Sequence, residues 1–419
     1  MDVNYIKDKG KTLHYHGLDP KKIRLDAKEK FNQKAKQDYF GAAPNLFVGR
    51  FGYPNINIGI LNVQMDKENE ETVNDDENIN SMDIGRYDKY DAPLTWVKEG
   101  TDIPQIINYR TQLINSTFRA SIKSFDNKLL EMSQEISLAS KPVDVEINLN
   151  KKPQLSLSMF DDAMPHGANV GIKNAKITEN PKIPHQVEKA VDDIYFKAND
   201  AVFSLYEKGF DEHYLTKVFS LANLGMKKNR KLVPTRWSIT AVDDLIGKQL
   251  IDGLKDNKHA NYLAYFGGYQ GNYYLILMFP DCWSYELFET IITEQNMFAT
   301  DYESFHGRRD YAHSTAGGYY ACRIAVLEKL TEMKRQASVL ALRFVDPNEY
   351  IAPLGVWVCR EATRNALNNK PIEFSSKELM LNYARLLVRK KFNFDSDVLI
   401  NQSMLLKNMQ QQMKLGNFF

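Results

Sequence analysis

From Pro184 to Gly209 the apolar positions Val187, Val191, Ile194, Ala198, Val202 and Leu205 recur every three or four residues, which predicts one core-facing helix closed by a glycine. Residues 20–39 repeat that period more sparsely, through Leu25, Phe31 and Ala35 among charges, and predict an exposed bracing helix. In Leu46-Phe-Val-Gly-Arg-Phe-Gly-Tyr-Pro-Asn-Ile-Asn-Ile-Gly-Ile-Leu61 two short β-type runs flank Gly52-Tyr53-Pro54, where glycine and proline set a reversal. Asp144 to Leu149 and Gln154 to Ser158 alternate polar and apolar residues around Asn150-Lys-Lys-Pro153, the pattern of a hairpin with one wet face. A third hairpin is expected where Tyr262 to Phe266 and Tyr273 to Phe279 flank Gly267 to Asn272. Thr240, with Asp243 three residues on, reads as the N-cap of a helix through Leu245, Ile246 and Leu250. Gly318 leads into a long helix through Tyr320, Ile324, Leu327 and Leu330. Val339 to Phe344 and Ile351 to Val358 read as buried strands, and two helices are expected over 374–391 and 396–410. Without the regular β-α alternation of a doubly wound sheet, the class is mixed α+β, with mainly antiparallel sheets packed against several helices.

The chain's 419 residues, 43% hydrophobic, suffice for one large or two packed domains. Lys+Arg at 54 against Asp+Glu at 53 leaves a net charge of +1, so bulk charge cannot hold it on DNA and any nucleic-acid contact has to be local. Between Asp66 and Ala92, side chains such as Glu68, Glu70, Asp75 and Glu77 outnumber apolar anchors, and this stretch reads as a mobile insertion. Cys282, Cys322 and Cys359 lie far apart and form no C-x-x-C pair, which fits a reducing interior and a cytoplasmic protein. The strongest apolar run, Tyr273 to Phe279, is too short to span a bilayer, and the first residues lack the apolar core of a signal peptide.

The last eight residues carry the sharpest motif. If Leu415 to Phe418 closes into a 3₁₀ turn, residues three apart eclipse, so Leu415, Phe418 and Phe419 project together as an apolar plug that the Gln412 amide can orient. The order Gln-x-x-aliphatic-x-x-aromatic-aromatic resembles the PCNA-interacting peptide, or PIP box. That resemblance implies the sliding clamp PCNA as a partner, bound by Gln412, Leu415, Phe418 and Phe419. The duller alternative packs the terminal aromatics on this chain's own core.

In the body, Arg230-Lys-Leu-Val-Pro-Thr-Arg-Trp-Ser-Ile-Thr-Ala-Val-Asp-Asp244 combines cations, an aromatic and two carboxylates in one loop-to-helix passage. Together with Leu46 to Pro54, Gly317-Gly-Tyr-Tyr-Ala-Cys-Arg323 and Ala352-Pro-Leu-Gly-Val-Trp-Val-Cys-Arg-Glu361, it resembles the archaeal Nre family of DNA-repair proteins, some of which end in a PIP box. The resemblance runs from about Leu46 to about Ala366 and resumes at the tail, with Lys231 to Asp244 its most specific piece. It implies a role in DNA damage and recruitment to the clamp, without fixing a reaction. It also divides the chain into an amino-terminal helical segment (1–40), an Nre amino-terminal domain (41–295), an Nre carboxy-terminal domain (296–408) and a flexible tail (409–419). Many members carry a cysteine-rich, zinc-like segment near the amino end. This chain has no cysteine before Cys282, and His14 with His16 is too small a ligand set, so no structural zinc is expected.

Lys227, Lys228, Arg230, Lys231 and Arg236 can neutralise phosphates and Trp237 can stack on a base, although a solvated basic loop has the same composition. Arg50, in the first hairpin turn, joins these candidates. Arg308, Arg309, His313, Tyr319 and Arg323 surround Gly317-Gly318, with Arg308, Tyr319 and Arg323 the phosphate candidates, and a glycine turn opening a helix is a natural anion cradle, though no P-loop or dinucleotide pattern accompanies it. The pairs Asp161-Asp162, Asp192-Asp193 and Asp243-Asp244 offer oxygen ligands for Mg²⁺ or Mn²⁺ in a nuclease-type site. Adjacent helical residues diverge and Asp243 has the capping role, so no metal set is assigned; Asp243 and Asp244 are the catalytic candidates only under an enzymatic reading. Three functions follow in order: a clamp-recruited repair protein that binds damaged or branched DNA, a metal-dependent nuclease or other nucleic-acid-processing hydrolase, and a clamp-bound adaptor without DNA affinity.

Overall fold

The computed structural model describes residues 20–65, 88–123, 125–155, 166–293 and 297–411. The acidic insertion up to residue 87, His14 and His16, the end of the 144–158 hairpin, Asp161-Asp162 and the tail from Gln412 onward lie outside the described residues. Two compact units divide the chain, one over Leu18–Leu245 and one from Ile246 on.

In the first unit, α1 (Pro20–Lys34) precedes β1 (Asp38–Val48) and β2 (Asn55–Gln64), the expected hairpin. Then come α2 (Pro93–Glu99), α3 (Ile103–Gln112), β3 (Ile114–Ser121), α4 (Lys128–Leu138), β4 (Val143–Leu149) and β5 (Asn169–Ile177). The strands close into a five-stranded barrel in the order β1-β2-β3-β5-β4, with β4 back on β1 and only β3 and β5 parallel. Alternation explains the closure. Ile56, Ile58 and Ile60 on β2 and Val145, Ile147 and Leu149 on β4 fill the interior, each buried aliphatic contributing roughly 1.5–3 kcal/mol. Slipping β2 by one residue would turn its isoleucine row to water, so the register is specified. A polar group inside is closed on itself: the Tyr39 hydroxyl donates to Asn62, whose amide donates to Ser116 Oγ at 2.9 Å and to the Ile60 carbonyl at 2.8 Å.

Three local expectations change here. The partner of β4 is β5, and residues 151–155 form no strand; alternation identifies a strand but not its neighbour. The helix predicted from 184 to 209 is two, α5 (His185–Asp192) and α6 (Ala198–Glu207). Asp193 Oδ1 accepts the N–H groups of Tyr195 and Phe196, both at 3.0 Å, which closes a turn and leaves Ile194 44% exposed. After α7 (Glu212–Ser220), α8 (Thr235–Leu254) starts ahead of its predicted cap. Trp237 and Ser238 donate to the Pro234 carbonyl, so proline sets the start, Thr240 lies within the helix, and Asp243 is fully buried rather than capping.

The second unit is a six-stranded sheet ordered β11-β6-β7-β10-β8-β9, built from β6 (Tyr262–Tyr269), β7 (Asn272–Phe279), β8 (Ser284–Ile291), β9 (Phe298–Glu303), β10 (Ser338–Val345) and β11 (Ile372–Phe374). Every pair is antiparallel except β8 with β10. Buried residues of α9 (Ala316–Met333) and α10 (Trp357–Asn368) pack on one face, around Tyr274, Ile276 and Leu287. Those of α11 (Lys377–Phe392), α12 (Asp397–Ile400) and α13 (Met404–Gln411) pack on the other, around Leu275, Leu277 and Phe344. Residues 351–358, expected as a strand, are irregular and then helical from Trp357. Pro353 and Gly355, the latter at φ +106°, interrupt pairing within an apolar run whose length alone fits either element. The last predicted helix, 396–410, is broken between Ile400 and Met404, where Glu286 of β8 reaches across to cap α13. Among the described residues no helix is long and apolar enough to cross a membrane.

Candidate nucleic-acid interface

The turn from Gly49 to Pro54 joins β1 to β2 at one end of the barrel. Gly52 sits at φ +82°, and a β-carbon there would fall 2.8 Å from both Arg119 Nη2 and the Asn55 carbonyl, so the close approach and the backbone both call for glycine. Arg119, projecting from β3, donates through Nη2 to that carbonyl at 3.0 Å and braces the turn. Held in this way, Phe51 is 76% exposed and Tyr53 52% exposed. The Arg50 guanidinium lies 4.8 Å from the centroid of the Phe51 ring, a cation–π arrangement that leaves the charge at the surface.

Two hydrogen bonds bring the Lys231–Trp237 segment to the same end. Leu232 N donates to the Ile122 carbonyl just beyond β3 at 3.0 Å, and Val48 N, at the end of β1, donates to Thr235 Oγ1 at 2.8 Å. Lys231 and Arg236 are exposed, and Trp237 is 49% exposed. Arg50, Lys231, Arg236 and Trp237, scattered through the sequence, therefore share one end of one barrel. Arg230 plays a different part: its Nε donates to the Gly225 carbonyl at 2.8 Å and its Nη2 to the Val191 carbonyl at 2.6 Å, bracing the backbone. Burial lowers its pKa, which the Asp192 carboxylate partly offsets. Phe51, Tyr53 and Arg119 were not singled out by the motif; only the hairpin turn between two alternating runs hinted that the aromatics stand outward.

Arg308, Tyr319 and Arg323 belong to the second unit; Tyr319 and Arg323 face inward, and Arg308 is half-buried. Arg323 is fully buried, ion-paired to Glu303 at 2.9 Å, with its guanidinium 5.6 Å from the Tyr319 ring and 5.3 Å from the Tyr320 ring. Tyr319 is fully buried as well, and burial, with the Glu303 charge beside it, raises its hydroxyl pKa. Arg308 contacts Asp301 Oδ1 at 2.8 Å and donates to the carbonyls of Tyr302, Asp310 and Tyr311. The start of α9 already has carboxylates against it. Thr315 donates through N and Oγ1 to Asp301 Oδ2 at 2.7 and 2.9 Å, and a β-carbon on Gly318 would lie 2.2 Å from Glu289 Oε1. These internal anions take the place that a helix N-terminus offers to an external one.

Asp243 is fully buried and Asp244 half-buried, and as neighbours on α8 they diverge by roughly 100° around the helix. Among the described residues no group of three or more His, Cys, Asp or Glu side chains is arranged to hold a metal ion.

The family model for the archaeal Nre amino-terminal region matches residues 21–296, and that for the archaeal Nre carboxy-terminal region matches residues 303–418. DNA repair protein NreA of Haloferax volcanii is 34% identical over 359 residues, covering 82% of this chain and 81% of its own. NreA of Archaeoglobus fulgidus is 36% identical over 359 residues, 83% of this chain and 84% of its own, and DNA repair protein NreB of the same organism is 33% identical over 387 residues, 90% and 91%. No solved structure matches significantly. With both halves matched and relatives aligned along most of their length, the chain belongs to the archaeal Nre family.

Proposed function

We propose that this chain works in DNA repair, binding DNA through the end of the barrel that carries Arg50, Lys231, Arg236 and Trp237, and joining the sliding clamp PCNA through Gln412, Leu415, Phe418 and Phe419. One observation carries the DNA half: three exposed cations and three exposed aromatics converge there from two distant segments. Cations neutralise phosphates and release counterions, and rings offer faces to bases. The names of the relatives support the repair context, and the order of residues in the tail supports the clamp.

Calorimetry with the clamp tests the tail. Removing residues 412–419 is expected to abolish measurable binding, and an unchanged affinity would take the clamp out of the reading. Gel retention on single-stranded, duplex and flap DNA tests the body. Lys231→Ala combined with Arg236→Ala is expected to weaken retention several-fold on every substrate, because phosphate contacts carry no sequence information. Retention unaffected by the pair would favour a clamp-bound adaptor. Cleavage in Mg²⁺ or Mn²⁺ that disappears in Asp244→Ala would favour a nuclease.

A further inference from the structure

Across the outer face of the barrel the register aligns Phe47 of β1 with Gly59 of β2, Gly59 with Thr117 of β3, and Thr117 with Gly171 of β5. Phe47, 41% exposed, thus stands beside a row of two glycines and a threonine. In the next row toward the turn, Asn57 faces Arg119. Beyond it come Arg50, Phe51 and Tyr53. The outward positions of β2 and β3 hold asparagine, glycine, leucine, threonine, serine and a single arginine, with no carboxylate. The outward positions of β4 hold Asp144 and Glu146, and Asp144 N donates to Glu179 at 2.9 Å, which gathers further negative charge there. Glu146 faces Lys176 of β5, which offsets part of that charge, whereas β2 and β3 hold no outward carboxylate to repel a polyanion.

We infer that the outer face of β1, β2 and β3, continued by the Gly49–Pro54 turn, is a stacking platform for single-stranded DNA. The inference rests on the DNA-binding reading above and names its substrate class. Exposed rings beside Arg50 and Arg119, next to β2 and β3 whose outward positions hold no carboxylate, match what unpaired bases present, since each base has a π-face to stack and each nucleotide a phosphate; the exposed Asp38 of β1 lies at the end of that strand away from the turn. In a duplex those faces are covered by neighbouring base pairs, and Phe47, Phe51 and Tyr53 would find only the backbone. Five-stranded Greek-key barrels use this face and the β1–β2 loop for oligonucleotides and oligosaccharides, and the cations select the former. Fold alone would carry no function; the outward side chains do.

The test uses the full chain and fluorescence anisotropy with a labelled oligothymidine of about 15 nucleotides, within the range one such barrel covers, beside a blunt duplex of equal length. The single strand is expected to bind at least tenfold tighter. Phe51→Ala and Tyr53→Ala are each expected to lower single-strand affinity by about fivefold or more, while Tyr311→Ala, an exposed ring of the second unit, changes nothing. Both turn residues are exposed, so melting temperatures should hold. Trp237 is the one exposed tryptophan of the four, so its emission should be quenched on adding oligothymidine. Duplex binding as tight as the single strand, with the ring variants harmless, would overturn the platform while leaving DNA binding intact. Binding to neither would overturn both.

Discussion

Cys282 is exposed, with Sγ 3.8 Å from His259 Nε2, whereas Cys322 and Cys359 are buried in the second unit. Burial pushes the Cys322 thiol up to about 12 and raises Cys359 as well, and only the thiolate attacks an alkylating reagent. Native protein at pH 8 should therefore lose one thiol to a colorimetric reagent, and denatured protein three; three fast-reacting thiols in the native protein would contradict this burial. The same scale separates the candidate cations. Arg50, Lys231 and Arg236 are open to a phosphate, whereas Arg323 is closed off by Glu303 and two tyrosine rings, although the sequence motif treats them alike.

Helix α13 shows how one buried side chain can end one element and start another. Glu286, fully buried on β8, accepts from Met404 N at 2.9 Å and Leu405 N at 3.0 Å, and Ser403 Oγ donates to the same carboxylate. Burial raises the Glu286 pKa, and these three hydrogen bonds pull it back part of the way. Two of the N–H groups that a helix start leaves unpaired are thereby satisfied from the sheet. Glu286→Ala should cost roughly 1.5–3 kcal/mol, read as a lower denaturant midpoint together with faster amide exchange at Met404 and Leu405. Unchanged exchange there would mean that α13 docks without this cap. The predicted helix over 396–410 missed the break because its partner lies more than a hundred residues upstream, beyond the reach of any local period.

For the whole molecule, a net charge of +1 means that DNA affinity has to come from a patch rather than from overall attraction. If Arg50, Lys231 and Arg236 contact about three phosphates, the logarithm of single-strand affinity should fall with that of salt at a slope of roughly −2. A slope near −10 would mean that many more cations take part and would remove the local patch from the account.

What the sequence alone determined was the set of periods and motifs. The β1–β2 and β6–β7 hairpins, strand β10 and helix α9 all follow from alternation, helical spacing and glycine-bearing turns, because each is specified by residues close together in the chain. Family membership was legible for a related reason, since runs such as Lys231 to Asp244 are contiguous. Only the tertiary structure decided which strand lies beside which. Docking of the 231–237 segment on the ends of β1 and β3 carried Lys231 and Arg236 to the turn that holds Arg50, with Phe51 and Tyr53 exposed beside them. In the other unit, packing drew Tyr319 and Arg323 into the core, where Glu303 neutralises the charge that a solvent-facing arginine would have offered to a ligand. A period tells which side of an element faces inward, but the identity of the neighbour is a long-range fact set by packing, and both the gathering of the cations and their burial depend on that neighbour.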